Sequence, residues 1–255
     1  VTKKYEFTGE TKQLHNLTLR KIRRLSDGKI GGWVEKEENL SHDGGCWVGG
    51  NANISGNAKV YRDAKVYGNA QVYGNAQVYG NAQVCGDAWV CGNAWVCGDA
   101  WVYGNAWVYG HAKVYGNAQV YGNARVTGHS EVYENAWVCG HAKVFGNAWM
   151  YGHAKVYENS KVFGNARVTG HSEVYENAKV YGNAEVSGNA EVSGDSEVSD
   201  DAWVFGNARV TGHSEVYGNA KVYGNSKVFG TARVFENSQV SGDAQVSGDV
   251  LKLHC

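Results

Sequence analysis

The chain has 255 residues, with 24 basic and 25 acidic side chains, 35 Gly, 16 Tyr and 9 Trp, but no Pro and a single Met. A net charge of −1 argues against a DNA mimic and against a protein held on nucleic acid mainly by phosphate contacts. No run approaches the ~20 apolar residues of a bilayer-crossing helix, and the start shows no secretory leader pattern.

Residues 1–46 stand outside the periodicity that governs everything after them and read as a β-rich N-terminal cap with an imperfect first coil. Tyr5-Glu6-Phe7 and Leu17-Thr18-Leu19 predict short strands around a turn at His15-Asn16. Residues 1–30 carry eight Lys or Arg against three acids, which leaves the remainder at −6. In the stretch 31–48, Val34 and Leu40 lie six residues apart, and two extra residues precede Val48.

From Val48 the text runs in sixes. An aliphatic residue occupies every sixth position to Val246, 34 in all, of which 32 are Val and the others Ile54 and Met150. Four residues after each aliphatic, all 33 positions from Ala52 to Ala244 are Ala or Ser. A helix cannot hold a six-residue period, which drifts by ~120° against 3.6 residues per turn. Short strands can: the small residue and the Val share one face, and the residues beside them face outward. The two remaining positions form a turn, with Gly at 28 of 34 first positions. The second is Asn, Asp or His everywhere except Thr231. Because those residues best tolerate positive φ, the second position is expected to be the left-handed corner. Residues 47–249 then form a parallel β-solenoid, and 250–255 a short tail.

This pattern resembles the hexapeptide-repeat family. The resemblance implies an all-β, left-handed parallel β-helix: a triangular solenoid with three hexads per coil and about 11 coils over this length. The text KYEFTGETKQL, LRKIRRL and GGWVEKEENLS ahead of VYGNA repeats is similar to a group of uncharacterised bacterial and prophage repeat proteins. That likeness implies a possible action on a host protein, such as a defence component.

Three hexads per coil place residues 18 apart in columns. One reads Tyr61, Tyr79, Cys97, Tyr115, Tyr133, Tyr151 and another Tyr103, Tyr121, Cys139, Tyr157, Tyr175, ladders that stabilise a sheet by stacking. Trp89, Trp95, Trp101 and Trp107 occupy four successive hexads and should encircle the column, with Trp89 over Trp107. Trp137, Trp149 and Trp203 follow. All seven fall on outward positions. Exposed Trp marks binding surfaces, so Trp89, Trp95, Trp101, Trp107, Trp137 and Trp149 are the candidate binding residues.

No catalytic residue, cofactor or metal is expected. Six His (111, 129, 141, 153, 171 and 213) replace Asn in the turn, a backbone explanation that needs no chemistry. GNARVTGHSEVY recurs at 122–133, 164–175 and 206–217 with a period of 42 residues, seven hexads rather than a multiple of three. Its copies therefore land on different faces, as duplication would leave them. Cys85, Cys91 and Cys97 fall on different faces, too far apart for disulfides, which suits a cytoplasmic setting in a bacterial cell. The functional expectation is a non-enzymatic scaffold for protein binding or assembly, as a homo-oligomer (dimer or trimer), with neither membrane nor nucleic acid as partner. Two alternatives stand: a coenzyme A-dependent acyltransferase with a corner His as base, and an aromatic-faced module for sugars or nucleotides.

Overall fold

The computed structural model describes residues 2–248. It is all-β among them, except for one 3-10 turn at Glu37–Asn39. The chain forms two compact units, one ending at Thr127 and the other starting at Gly128.

The first unit opens with strand β1 (Tyr5–Leu14), antiparallel to β2 (Leu17–Arg24), which is antiparallel to β3 (Ile30–Val34). The first two strands are longer than the sequence suggested. Leu19 and Ile22 are fully buried on β2, and a register shift beside Ile22 keeps both inward despite their odd spacing. β3 pairs in parallel with Asn53–Ile54. From there the strands are two residues long and stack into three parallel sheets. Along one sheet the inward residues run Val34, Ile54, Val72, Val90, Val108 and Val126. The step from Val34 to Ile54 is 20 residues and every later one is 18, so the irregular first coil absorbs its two extra residues before the period locks.

The second unit repeats this plan. Three parallel sheets again form, one of them with Val144, Val162, Val180, Val198, Val216 and Val234 inward. In both units the Val and the Ala or Ser of the hexads are buried, save Ala244 in the last described coil. Most buried Ser at the small position are satisfied locally: the Ser160 and Ser172 hydroxyls donate to the carbonyls three residues earlier, Tyr157 and Thr169, whereas Ser238 Oγ has no partner. A hydroxyl therefore fits where Ala does and in most coils finds its hydrogen bond on the spot.

Along the coils a hexad typically donates three backbone N–H groups to the next coil. In one example Gln71 N–H reaches Ala88 O at 2.9 Å, Tyr73 N–H reaches Val90 O at 3.1 Å and Asn75 N–H reaches Gly92 O at 2.8 Å. The backbone of each coil is thus satisfied by its neighbours.

The corners correct one expectation. Positive φ falls on the first turn residue, not the second: Gly74 has φ 71°, and Gly230, just before Thr231, has φ 68°. The reason is proximity between coils as well as conformation. A Cβ on Gly74 would lie 3.0 Å from Gly92 N. Asn at the second position is selected by its side chain, because the amides stack one per coil. Asn57 Nδ2 donates to Asn75 Oδ1 at 3.1 Å, and Asn75 Nδ2 to Asn93 Oδ1 at 3.0 Å. Thr231 therefore carries no left-handed strain.

Candidate functional site: the outward tryptophans

The residue before each inward Val projects from a sheet face, and this is where the Trp side chains lie. Trp89 and Trp107 share one face of the first unit and stack with ring centroids 4.9 Å apart and planes 2° from parallel. Trp95 and Trp101 occupy the other two faces. The four encircle the first unit. Trp137 and Trp149 lie on two different sheets of the second unit. The structure thus brings Trp89 and Trp107 together, and sets the others apart.

Trp95, Trp101, Trp137, Trp149 and Trp203 keep 38% to 47% of their surface exposed, although most have a partner one coil onward. Arg125 lies 4.9 Å from the Trp107 ring centre, Arg167 5.4 Å from Trp149 and Lys221 5.2 Å from Trp203. Lys113 and Lys155 approach Trp95 and Trp137 at 5.9 and 5.8 Å. Such cation–π contacts are worth about 0.5–1 kcal/mol on a surface and hold the indoles in fixed orientations. Trp101 is different: its strand neighbours are Gln83 and Gln119. Two tryptophans lie outside this set. Trp33 sits between the ammonium groups of Lys12 and Lys21 at 4.5 and 4.6 Å, and Trp47 is buried beside Arg24.

The position after each Val carries the aromatic columns. Tyr61 stacks on Tyr79 at 4.9 Å, Tyr103 on Tyr121 at 4.9 Å, and Tyr157 on Tyr175 at 5.0 Å. A third column, legible from the same spacing, contains Phe145, Phe163 and Tyr181. Several phenols also reach the residue sixteen positions on. Tyr61 donates to Gln77 Oε1 at 2.9 Å, and Tyr67 to Gln83 Oε1 at 3.0 Å. Cys91 and Cys97 take ring positions in these columns, where burial pushes both thiols up, away from the reactive thiolate. The five described cysteines are free.

The six corner His are exposed. His153 and His171 stack at 4.6 Å, and His213 Nδ1 lies 3.4 Å from Asp195. Among the described residues, no three His, Cys, Asp or Glu side chains are grouped to hold a metal ion.

A different histidine, missed in the sequence, lines a recess of about 650 Å³ in the first unit together with Glu37, Ser41 and Tyr61. His42 Nδ1 accepts from the Lys4 backbone N–H at 3.1 Å, so its Nε2 is the proton-bearing nitrogen toward Glu37 Oε1 at 2.7 Å. Both nitrogens are committed, and the ring stacks on Tyr5 at 4.4 Å. His42 ties the cap together and has no nitrogen free to take a substrate proton.

The fold and the repeated faces define a three-sided parallel β-solenoid repeat protein. Within this class the chain is similar to the YdcK Beta solenoid repeat, whose family model matches residues 70–86, 76–92, 82–98 and 118–134. The first three matches overlap and step by one hexad. No curated protein matches the chain. No helix among the described residues is long and apolar enough to cross a membrane.

Proposed function

We propose that the protein is a non-enzymatic scaffold that binds another protein, or further copies of itself as a dimer or trimer, through the tryptophans on its sheet faces. The observation that carries this reading is the exposure of Trp95 and Trp101 on adjacent faces around one corner. Indoles in such settings provide much of the binding energy where they are desolvated by a partner. The hydrogen-bonded framework beneath them fixes their positions, which lowers the ordering cost of association. The sequence likeness to prophage repeat proteins makes a bacterial host protein the partner to test first.

Light scattering and affinity capture against a host extract test the reading, with Trp95→Ser/Trp101→Ser as the control. The expected result is an assembly or a specific retained protein that the double variant loses while its melting temperature is kept. A strictly monomeric mass with nothing retained overturns it. Saturable binding of acetyl-coenzyme A, lost in His141→Ala or His213→Ala, would replace it with the acyltransferase reading.

A further inference from the structure

One aromatic column of the first unit begins with a missing ring. Its members are Ser55, Tyr73, Cys91 and Tyr109, spaced by 18 residues. On the next face the corresponding position is Tyr61, which stacks on Tyr79 and donates its hydroxyl to Gln77 Oε1. Tyr67 plays the same hydrogen-bonding part toward Gln83 on the third face. Ser55 can do neither for Tyr73 and Gln71. A cavity of about 180 Å³ lies at this place, bounded by Ser55, Gln71, Tyr73 and Trp89 and roofed by Leu14 and Leu17 from the tip of the β1–β2 hairpin. The roof is effective, since Ser55 is only 5% exposed.

We infer that this cavity is a binding site for a small, uncharged monocyclic phenol, whose ring takes the place of the absent tyrosine side chain. Size supports the assignment: an engineered apolar cavity of about 150 Å³ is enough for benzene, and far larger pockets are needed for a nucleotide-sized ligand. No Asp, Glu, Lys or Arg lines the cavity, and His15 at the hairpin tip is exposed to solvent, so a charged ligand would find no buried counter-ion. The ring meets Tyr73 and Trp89 on one side and the two leucines on the other. The hydroxyl donates to Gln71 Oε1, as the Tyr61 and Tyr67 hydroxyls do at the equivalent amides. The wall also carries Asn53, whose Oδ1 is buried with no hydrogen-bond partner. Such an acceptor favours a ligand that brings a donor over one that is wholly apolar. The site shares Trp89 with the tryptophan faces proposed above but includes neither Trp95 nor Trp101, so the Trp95→Ser/Trp101→Ser variant should keep it and the two proposals can fail separately.

The test is calorimetric titration of the full chain with p-cresol, the free side chain of tyrosine, and with toluene, the same shape without the hydroxyl. One-to-one saturable binding of p-cresol is expected, with toluene about tenfold weaker, the size of one neutral hydrogen bond. Gln71→Leu should bring p-cresol to the level of toluene. Ser55→Tyr supplies the ring covalently, so it should abolish p-cresol binding and raise the melting temperature. Should that variant misfold, Leu17→Trp blocks the cavity from the roof and should abolish binding equally. Absence of saturable p-cresol binding, equal affinity for toluene, or binding that survives a folded Ser55→Tyr or Leu17→Trp overturns the inference.

Discussion

Asn39 in the cap and Asn75 in the coils are the same residue put to opposite uses. Asn39 is fully buried. Its Oδ1 accepts from Lys36 N–H at 2.9 Å, and its Nδ2 donates to the carbonyls of Gly56 at 3.1 Å and Ala58 at 2.9 Å. Asn75 sits in an exposed row, giving one amide bond to Asn93 and receiving one from Asn57. The coils obtain their cohesion from backbone bonds repeated at every step, so a single side chain matters little. The cap has no period to rely on. Individual side chains must satisfy the backbone of the cap and of the first regular coil; Tyr5 does so within the cap, its buried hydroxyl facing the carbonyls of Glu37 and Leu40.

The contrast is sharpest in Asn39→Ala, which leaves two carbonyls and one N–H without their partners, the Ala58 carbonyl in a buried place and the other two groups half-buried. The expected cost is about 3 kcal/mol, from penalties of about 1–3 kcal/mol per unsatisfied group and partial relaxation. Denaturant titration measures it. A loss below 1 kcal/mol would mean that the cap is not structurally coupled to the first coil.

Within the coils, the largest single-residue effect is expected where two corners approach. A Cβ on Gly194, which has φ 70°, would lie 2.6 Å from Gly212 O. Gly194→Ala should cost about 2 kcal/mol, from left-handed strain of about 1–2 kcal/mol plus displacement of the neighbouring coil. The corner is not closed to side chains in principle. Glu134 holds φ 58° in an equivalent place and its Oε2 accepts from Gly152 N–H at 2.8 Å. Alanine has no such compensation. A melting temperature unchanged in Gly194→Ala would break the explanation of the glycine repeat.

The two regions also differ in how a carboxylate is held. Hydrogen bonds from His42 and Lys3 lower the Glu37 carboxyl below its ordinary 4.5, whereas the Lys179 ammonium does this for Glu197 in a sheet column. A depressed folded value means that the stabilisation is complete above pH 4.5 and is lost as pH falls through the lower folded value. The stability advantage of the native chain over Glu37→Gln should therefore be constant from pH 7 to about 5 and shrink below 4.5. Chemical denaturation at a series of pH values checks this, and an advantage that grows on acidification would contradict the assigned direction.

Most of the coil architecture was legible in the residues because it is periodic. Val at every sixth place and Ala or Ser four residues on determine which side chains face inward, and a spacing of 18 predicted the stack of Trp89 on Trp107. The corner was misread by one residue for a physical reason. Asn, Asp and His suggest both positive φ and side-chain ladders, and only the approach of Gly74 to Gly92 shows that glycine carries the φ. Ser55 was readable as a gap in an aromatic column, yet nothing local indicated that Leu14 and Leu17 would roof it. His42 and Asn39 lie in text without a period, where contacts such as Lys4 to His42 join residues far apart in sequence.

Asn75→Ala is the weakest perturbation and tests whether the row of amides selects Asn at the second turn position. The substitution removes the bonds to Asn57 and Asn93 but leaves the backbone bond from residue 75 to Gly92 O in place. The amides are exposed, so water replaces most of what is lost, and a cost of about 0.5 kcal/mol is expected. Asn75→Asp should separate the causes. An aspartate can still accept from Asn57 but cannot donate to Asn93, as in the natural pair where Asn69 Nδ2 donates to Asp87 Oδ1 at 2.9 Å. Stability between that of the native chain and Asn75→Ala would support the ladder. If Asp and Ala cost the same, the turn conformation rather than the side-chain row would explain why Asn recurs there.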